Sequence, residues 1–297
     1  MLIAIDHGNY AVKTNNTIFI SGITEYPVKP PLALDIIEFE GSFWTLTGSR
    51  ITYQRNKTRD NRFFILTLFA IVKELMEIGE LSSGIDIDLA VGLPPEHFSM
   101  LREDFTNYFK RNNVKFIYND EPISLNIRNV FTYPQAYAAI VPQSRRLEDI
   151  PRLFIVDIGG YTSDVLLLRN GKPDLLFCRS LEMGIIDMNN AIIGKINARY
   201  DIKIEDDHIA EILQGKNTLL PDHAAIAVYE MAKAYANDII DKLRELQADL
   251  RANPSVFIGG GAALFRRYIE NSDMVVKSDF IPDLRANAIG YTMLAQS

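Results

Sequence analysis

The chain has 297 residues, 47 % hydrophobic and 23 % charged, and a formal net charge of −7. That length holds one large domain or two ordinary ones, and the composition excludes disordered, collagen-like and coiled-coil chains. An excess of 38 acidic over 31 basic residues disfavours broad binding to nucleic acid, which needs clustered positive surface. Residues 2–5 form an apolar run that reads as a buried strand delivering Asp6 to the turn His7-Gly8-Asn9, with the chain returning through Lys13. The segment 21–60, rich in Pro, Gly and Asn with short β-like pieces, reads as an inserted small subdomain. Residues 63–78 predict a helix with Asp60 or Asn61 as N-cap. Strict alternation over 85–91 predicts a strand, and 97–111 an amphipathic helix carrying Phe98, Leu101, Phe105 and Phe109. Residues 115–118 and 123–130 read as two strands around Asn119-Asp120, and Pro134 suits the first turn of a helix through Tyr137.

The second half opens like the first. Residues 153–156 are apolar and lead into Asp157-Ile158-Gly159-Gly160-Tyr161-Thr162-Ser163-Asp164. Asn170-Gly171 predicts a tight hairpin between 165–169 and 175–178. Helices are expected over 186–198, 207–213 and 224–250, then a strand at 256–258 running into Gly259-Gly260-Gly261. The last helix, about 284–296, is expected to pack back on the first domain. Cys178 is the one cysteine, so there is no internal disulfide and no mark of an oxidising compartment. No run approaches the ~20 apolar residues that cross a bilayer, and the N-terminus lacks a basic leader pattern, so a cytoplasmic protein without membrane contact is expected.

Aligned on their aspartates, the two openings share an apolar strand, Asp-x-Gly-x-Tyr and a returning strand, which implies duplicated halves. Phosphate binding needs close backbone N–H donors, which glycines permit, and often one cation. The first turn offers Gly8, Asn9 and Lys13; the second offers Gly159, Gly160, Tyr161 and Thr162. Two carboxylates beside phosphates repel them unless a hydrated Mg²⁺ lies between, so Asp6 and Asp157 read as ion-holders working through water. His7, His97, His208 and His223 show no metal-ligand spacing. The basic, aromatic-containing stretch 50–62 reads as the solvated tip of the small subdomain.

These residues resemble the superfamily of actin, heat-shock chaperones and sugar kinases, and within it the ParM/StbA-type bacterial actin-like ATPases that segregate plasmids. Four blocks carry the resemblance in order: Asp6-x-Gly8 with Lys13, Tyr133-Pro134-Gln135-Ala136, Asp157 to Asp164, and Ile258-Gly259-Gly260-Gly261-Ala262, with Gly184 opening the turn and helix before the last. The resemblance implies an α/β fold of two duplicated, ribonuclease H-like domains flanking a nucleotide cleft. Domain I would span 1–150, with the insert at about 21–60 and completion by the helix at about 284–297, and domain II would span 151–283. It implies ATP, with GTP left open, and Mg²⁺ as cofactors. Gly259, Gly260 and Gly261 match the adenosine motif, and Gln135 the position that orients the water attacking the γ-phosphate. Plasmid relatives often carry Glu there. The implied partners are further copies in a head-to-tail filament and a DNA-binding adaptor of a partition complex. A small-molecule kinase of the same superfamily and a non-polymerising ATP-binding scaffold are the competing expectations.

Overall fold

In a computed structural model of the chain, residues 1–54, 56–216 and 218–297 are described. The backbone divides into two units, Met1–Pro142 with Arg285–Ser297, and Gln143–Leu284. The first unit contains β1 (Leu2–His7), β2 (Ala11–Lys13), β3 (Ile18–Ile20), β4 (Ile23–Tyr26), β5 (Ile36–Phe39), β6 (Ser42–Leu46), α1 (Arg62–Glu77), β7 (Ile85–Leu93), α2 (Pro95–Phe109), β8 (Val114–Tyr118), β9 (Glu121–Pro134) and α3 (Tyr137–Ile140). Its sheet runs β3-β2-β1-β7-β9-β8-β5-β6-β4. β1 lies antiparallel to β2 and parallel to β7, and β7 is parallel to β9. The strands of the 21–60 segment thus join the same sheet beyond β8.

The core of this unit is α1. Every residue from Phe63 to Val72 is buried, so this apolar run is a core helix rather than a bilayer segment. No helix among the described residues is long and apolar enough to cross a membrane. Asn61 occupies the N-cap without a side-chain capping bond, and Asp60 Oδ1 instead accepts the Arg62 N–H at 3.0 Å. The far end closes at Gly79, whose N–H bonds Met76 O, while the Glu80 N–H reaches back to Leu75 O at 2.8 Å.

The second unit contains α4 (Ser144–Leu147), β10 (Leu153–Ile158), β11 (Ser163–Arg169), β12 (Lys172–Leu181), α5 (Ile185–Tyr200), α6 (Asp206–Leu213), α7 (Asp222–Glu245), β13 (Ser255–Ile258), α8 (Gly259–Glu270) and β14 (Ser278–Ile281). Its sheet order is β12-β11-β10-β13-β14. β10 is antiparallel to β11 and parallel to β13, which is parallel to β14. Strand for strand this repeats β3-β2-β1-β7-β9, with the same sense at every pairing. The β11–β12 turn carries Asn170 at φ 48 and Gly171 at φ 74, the backbone that a tight hairpin demands. Cys178 is buried in β12. The chain ends in α9 (Ala286–Gln296), whose Tyr291 packs with Ala4, Ala90 and Ala138 of the first unit.

Two boundaries differ from the sequence reading. Pro134 closes β9, paired with Leu93, and does not start a helix; α3 begins three residues later, after Ala136 at φ 61. The helix expected through residue 250 stops at Glu245. Gln247 takes φ 69 without a glycine to signal it, and the chain turns to bury Ala248 and Leu250 in the core.

Candidate functional site

In the first unit the β1–β2 ladder sets Asp6 opposite Lys13. That register lays the ammonium on the carboxylate: Lys13 Nζ is 3.2 Å from Oδ2 of Asp6, which is only 3 % exposed. Gln135, just past the end of β9, donates from Nε2 to the other oxygen, Oδ1, at 2.9 Å. The turn beyond Asp6 is pinned by Ser21, whose hydroxyl donates to Gly8 O at 2.6 Å. Asn9 lies in the same turn.

His7, the next residue along β1 after Asp6, is buried in the core of the unit. Its ring is fully buried, stacked on Phe109 with centroids 4.8 Å apart. Thr67 donates its one hydroxyl proton to Phe63 O at 2.7 Å, so the imidazole Nε2 must donate to Thr67 Oγ1, 2.8 Å away. Nδ1 then has no hydrogen-bond partner among the described residues. Burial, with the nearby Lys57 charge, holds the imidazole pKa well below its ordinary 6.5.

Lys57 overturns the expectation that 50–62 is a solvated tip. Its side chain is buried, its ammonium donates to His7 O, and it sits 5.3 Å from the Phe63 ring centroid. An ammonium that loses water keeps a carbonyl and an aromatic face in exchange. Of that stretch, Arg55 lies outside the described residues.

The hairpin that carries Lys13 is held at its tip. Buried Glu74 of α1 accepts from the Thr14 hydroxyl at 2.5 Å, and from the Asn16 N–H and side-chain amide at 3.2 and 2.7 Å. From the other side, Arg285 donates to Asn15 O at 3.1 Å.

In the second unit the same register sets Asp157 opposite Asp164. The Gly159 N–H closes the turn on Thr162 O at 2.8 Å, and the Thr162 hydroxyl donates to Asp164 Oδ2 at 3.1 Å. The carbonyls of Gly159 and Gly160 accept the first N–H groups of α5, from Ile185 at 3.1 Å and Ile186 at 2.8 Å. Gly184, at the N-cap of α5, must lack a side chain: a Cβ there would overlap the Gly160 carbonyl and Tyr161 N, both backbone. Its own carbonyl accepts the Tyr235 hydroxyl at 3.0 Å. Burial and the Asp187 carboxylate push that phenol up to about 12. Gly259, at φ 88, turns β13 into α8 against Asp157 Oδ1, and Gly261 packs on Ile158. No side chain caps α8 at Ile258, which leaves its first-turn amides as donors.

The structure therefore gathers Asp6, Gly8, Lys13 and Gln135 in one unit. It gathers Asp157, Gly159, Gly160, Gly184, Gly259 and Gly261 in the other, with Tyr161 and Thr162 in the second turn and Gly260 beside Ile185. Sequence reasoning missed Ser21, Lys57, Glu74 and Asn287. Glu74 was discoverable as an acid set between apolar stretches of α1; the others carry no motif. Among the described residues no cluster of three or more acidic, histidine or cysteine side chains forms a metal cage.

Two family models match the chain. Residues 155–271 match the C-terminal part of archaeal actin homologues of MreB-like type, and residues 41–137 match the N-terminal domain of actin-like proteins. No curated protein matches. Among solved structures, the native form of Ta0583, an archaeal actin homologue, superposes with a TM-score of 0.81 at 20 % identity, covering 99 % of both chains. The ADP complex of Ta0583 gives 0.78 at 17 % identity, covering 100 % of this chain and 99 % of that one. A 15-stranded ParM filament from Clostridium botulinum gives 0.77 at 20 % identity, over 99 % and 98 % of the two chains. The AlfA filament bound to AMPPNP gives 0.65 at 16 % identity, over 99 % and 95 %.

The fold is that of an actin-like protein. Within that class its likeness is to ParM-type proteins and archaeal actin homologues.

Proposed function

We propose that the protein is an actin-like ATPase that polymerises head to tail on binding ATP and Mg²⁺. We further propose that its filament moves plasmid DNA through a DNA-binding adaptor in the cytoplasm. The observation that carries this reading is the repeated strand-aspartate-turn, one in each unit, with Lys13 and Gln135 on the two oxygens of Asp6. The solved relatives add support, since one holds ADP and another AMPPNP, and two are filaments.

In this reading the turn amides at Gly8 and Asn9, and at Gly159, Gly160, Tyr161 and Thr162, bind phosphate, and Lys13 adds the cation. Gly184 and the Gly259–Gly261 turn shape the nucleoside end. Asp6 and Asp157 suit a hard divalent cation. They offer oxygen donors, the ligand type that such a cation takes, and the strand register sets Asp157 opposite a second acid, Asp164. Bound Mg²⁺ would neutralise charge developing on the phosphates. Gln135 is neutral and so cannot act as a strong base, but its amide can both accept from and donate to a water and thereby align it. A heterologous contact that does not close builds a filament.

The test is 90° light scattering at several protein concentrations, with phosphate release followed in parallel and Mg²⁺-ADP as control. The expected result is scattering above a threshold with ATP only. Asp6→Ala and Asp157→Ala should abolish it, whereas Gln135→Ala should assemble and release phosphate at least about tenfold more slowly. Absence of scattering at every concentration would move the reading to a monomeric kinase or scaffold.

A further inference from the structure

Gln135 reaches Asp6 from a constrained backbone. Its N–H continues the β7–β9 ladder to Leu93 O at 2.8 Å, while its carbonyl accepts the Tyr137 N–H at 2.6 Å. Between them Ala136 sits at φ 61 and ψ −52. This is a γ-turn with positive φ, a rare conformation that an L-residue keeps only when its surroundings impose it. The residue is an alanine, not a glycine, and it is fully buried, so the constraint must come from a neighbour.

That neighbour is α9. Asn287, in its first turn and itself buried, accepts the Ala136 N–H on Oδ1 at 3.0 Å. One turn further along, Gly290 lies so close to the Ala138 carbonyl that no Cβ would fit. The helix is thus seated directly on the segment that follows Gln135, and Asn287 makes its polar contact with the turn at the strained residue.

We propose that Asn287 is a positioning residue for Gln135: by holding the Ala136 N–H it keeps the γ-turn closed and so fixes where the Gln135 amide stands. With that acceptor gone, Ala136 relaxes towards negative φ. The flanking peptide planes then rotate, and the Gln135 side chain leaves Asp6. The kinetic consequence rests on the ATPase reading; the structural one does not.

Two measurements separate them. In the nucleotide-free protein, amide exchange at Ala136 and Tyr137 is followed by NMR, with Phe257 of the other unit as reference. Asn287→Ala should speed both amides by at least about tenfold relative to Phe257. Asn287→Asp keeps the acceptor oxygen and suits the first turn of a helix, so it should stay within about twofold of the parent. If Asn287→Ala fails to fold, Asn287→Ser withdraws the same acceptor and takes its place.

In phosphate release, Asn287→Ala should lower kcat about tenfold with KM unchanged. Added to Gln135→Ala it should lower kcat no further, because one residue acts through the other. Unchanged exchange at 136 and 137, an Asn287→Asp as impaired as Asn287→Ala, or a double variant that loses the product of the two single effects would each overturn the proposal. A parent protein that releases no phosphate removes the ATPase reading alone, and the exchange measurement still decides the role of Asn287.

Discussion

The two aspartate turns share a register and differ in what braces them. Asp6 faces Lys13 across β1–β2 and Asp157 faces Asp164 across β10–β11, the same step along the chain ending in opposite charges. The first turn is braced by side chains: Ser21 on Gly8 O, Lys57 on His7 O, Gln135 on Asp6. The second adds a backbone brace, its glycine carbonyls plugged into the first amides of α5, to the hydroxyl bonds of Thr162 and Ser163. A side-chain brace can let go one contact at a time. A backbone brace moves only if the helix moves. Duplication kept the strand order in both units and left one turn adjustable and the other fixed.

The largest effect tests the fixed turn. Gly184→Ala forces a Cβ into the backbone of Gly160 and Tyr161, and backbone has no rotamer with which to yield. We expect a loss of about 3 kcal/mol or more in urea unfolding, together with loss of nucleotide binding. A loss under about 1 kcal/mol would mean that the α5–turn contact is loose and the contrast wrong. Next comes the adjustable side. Glu74→Ala takes a charged acceptor from the Thr14 hydroxyl and two Asn16 donors at the tip of the Lys13 hairpin. It should cost about 2–3 kcal/mol, with Glu74→Gln costing less because it retains an acceptor. Equal losses for the two variants would show that cavity volume, not hydrogen bonding, sets the effect.

What the sequence displays and what it hides divide along the same line. Apolar strands ending in Asp-x-Gly are legible because strand burial and glycine turns leave local patterns, and both turns stand where those patterns put them. Asn170-Gly171 was legible for the same reason. The brace of the first turn was not: Lys57 lies within a basic stretch whose composition argues for solvent, and its ammonium is taken up by the carbonyl of His7, 50 positions away. Gln135 could be named from its neighbours, but its bond to Asp6 bridges 129 positions. The end of α7 at Glu245 escaped because Gln247 adopts φ 69 without glycine, under the pull of Ala248 and Leu250 into the core.

The smaller effects are read in acid, and they separate the core of the first turn from its rim. His7 titrates below its ordinary value, so between 6.5 and its lowered pKa the unfolded chain binds a proton that the folded chain does not. Stability must therefore fall as pH drops below 6.5, by about 1.4 kcal/mol per pH unit from this group. His7→Asn, which takes up no proton there, should flatten that part of the profile; an unchanged slope would show that the ring is not buried and neutral.

Asp60, at the head of α1, acts lower and more weakly. Burial alone would raise its pKa, but hydrogen bonds from Arg62 and Gln54 outweigh burial and bring it from 3.8 to about 2. Its side chain is 38 % exposed, so solvent screening holds the stabilisation under about 1 kcal/mol. The native state binds this proton less readily than the unfolded one. Its contribution is accordingly complete above 3.8 and disappears as pH falls through about 2. Asp60→Asn keeps an acceptor for the Arg62 N–H and loses only the charge. Its deficit at neutral pH should therefore close on the parent by pH 2. A deficit that persists there would show that the shape of the helix start, not the ion pair with Arg62, is what Asp60 supplies.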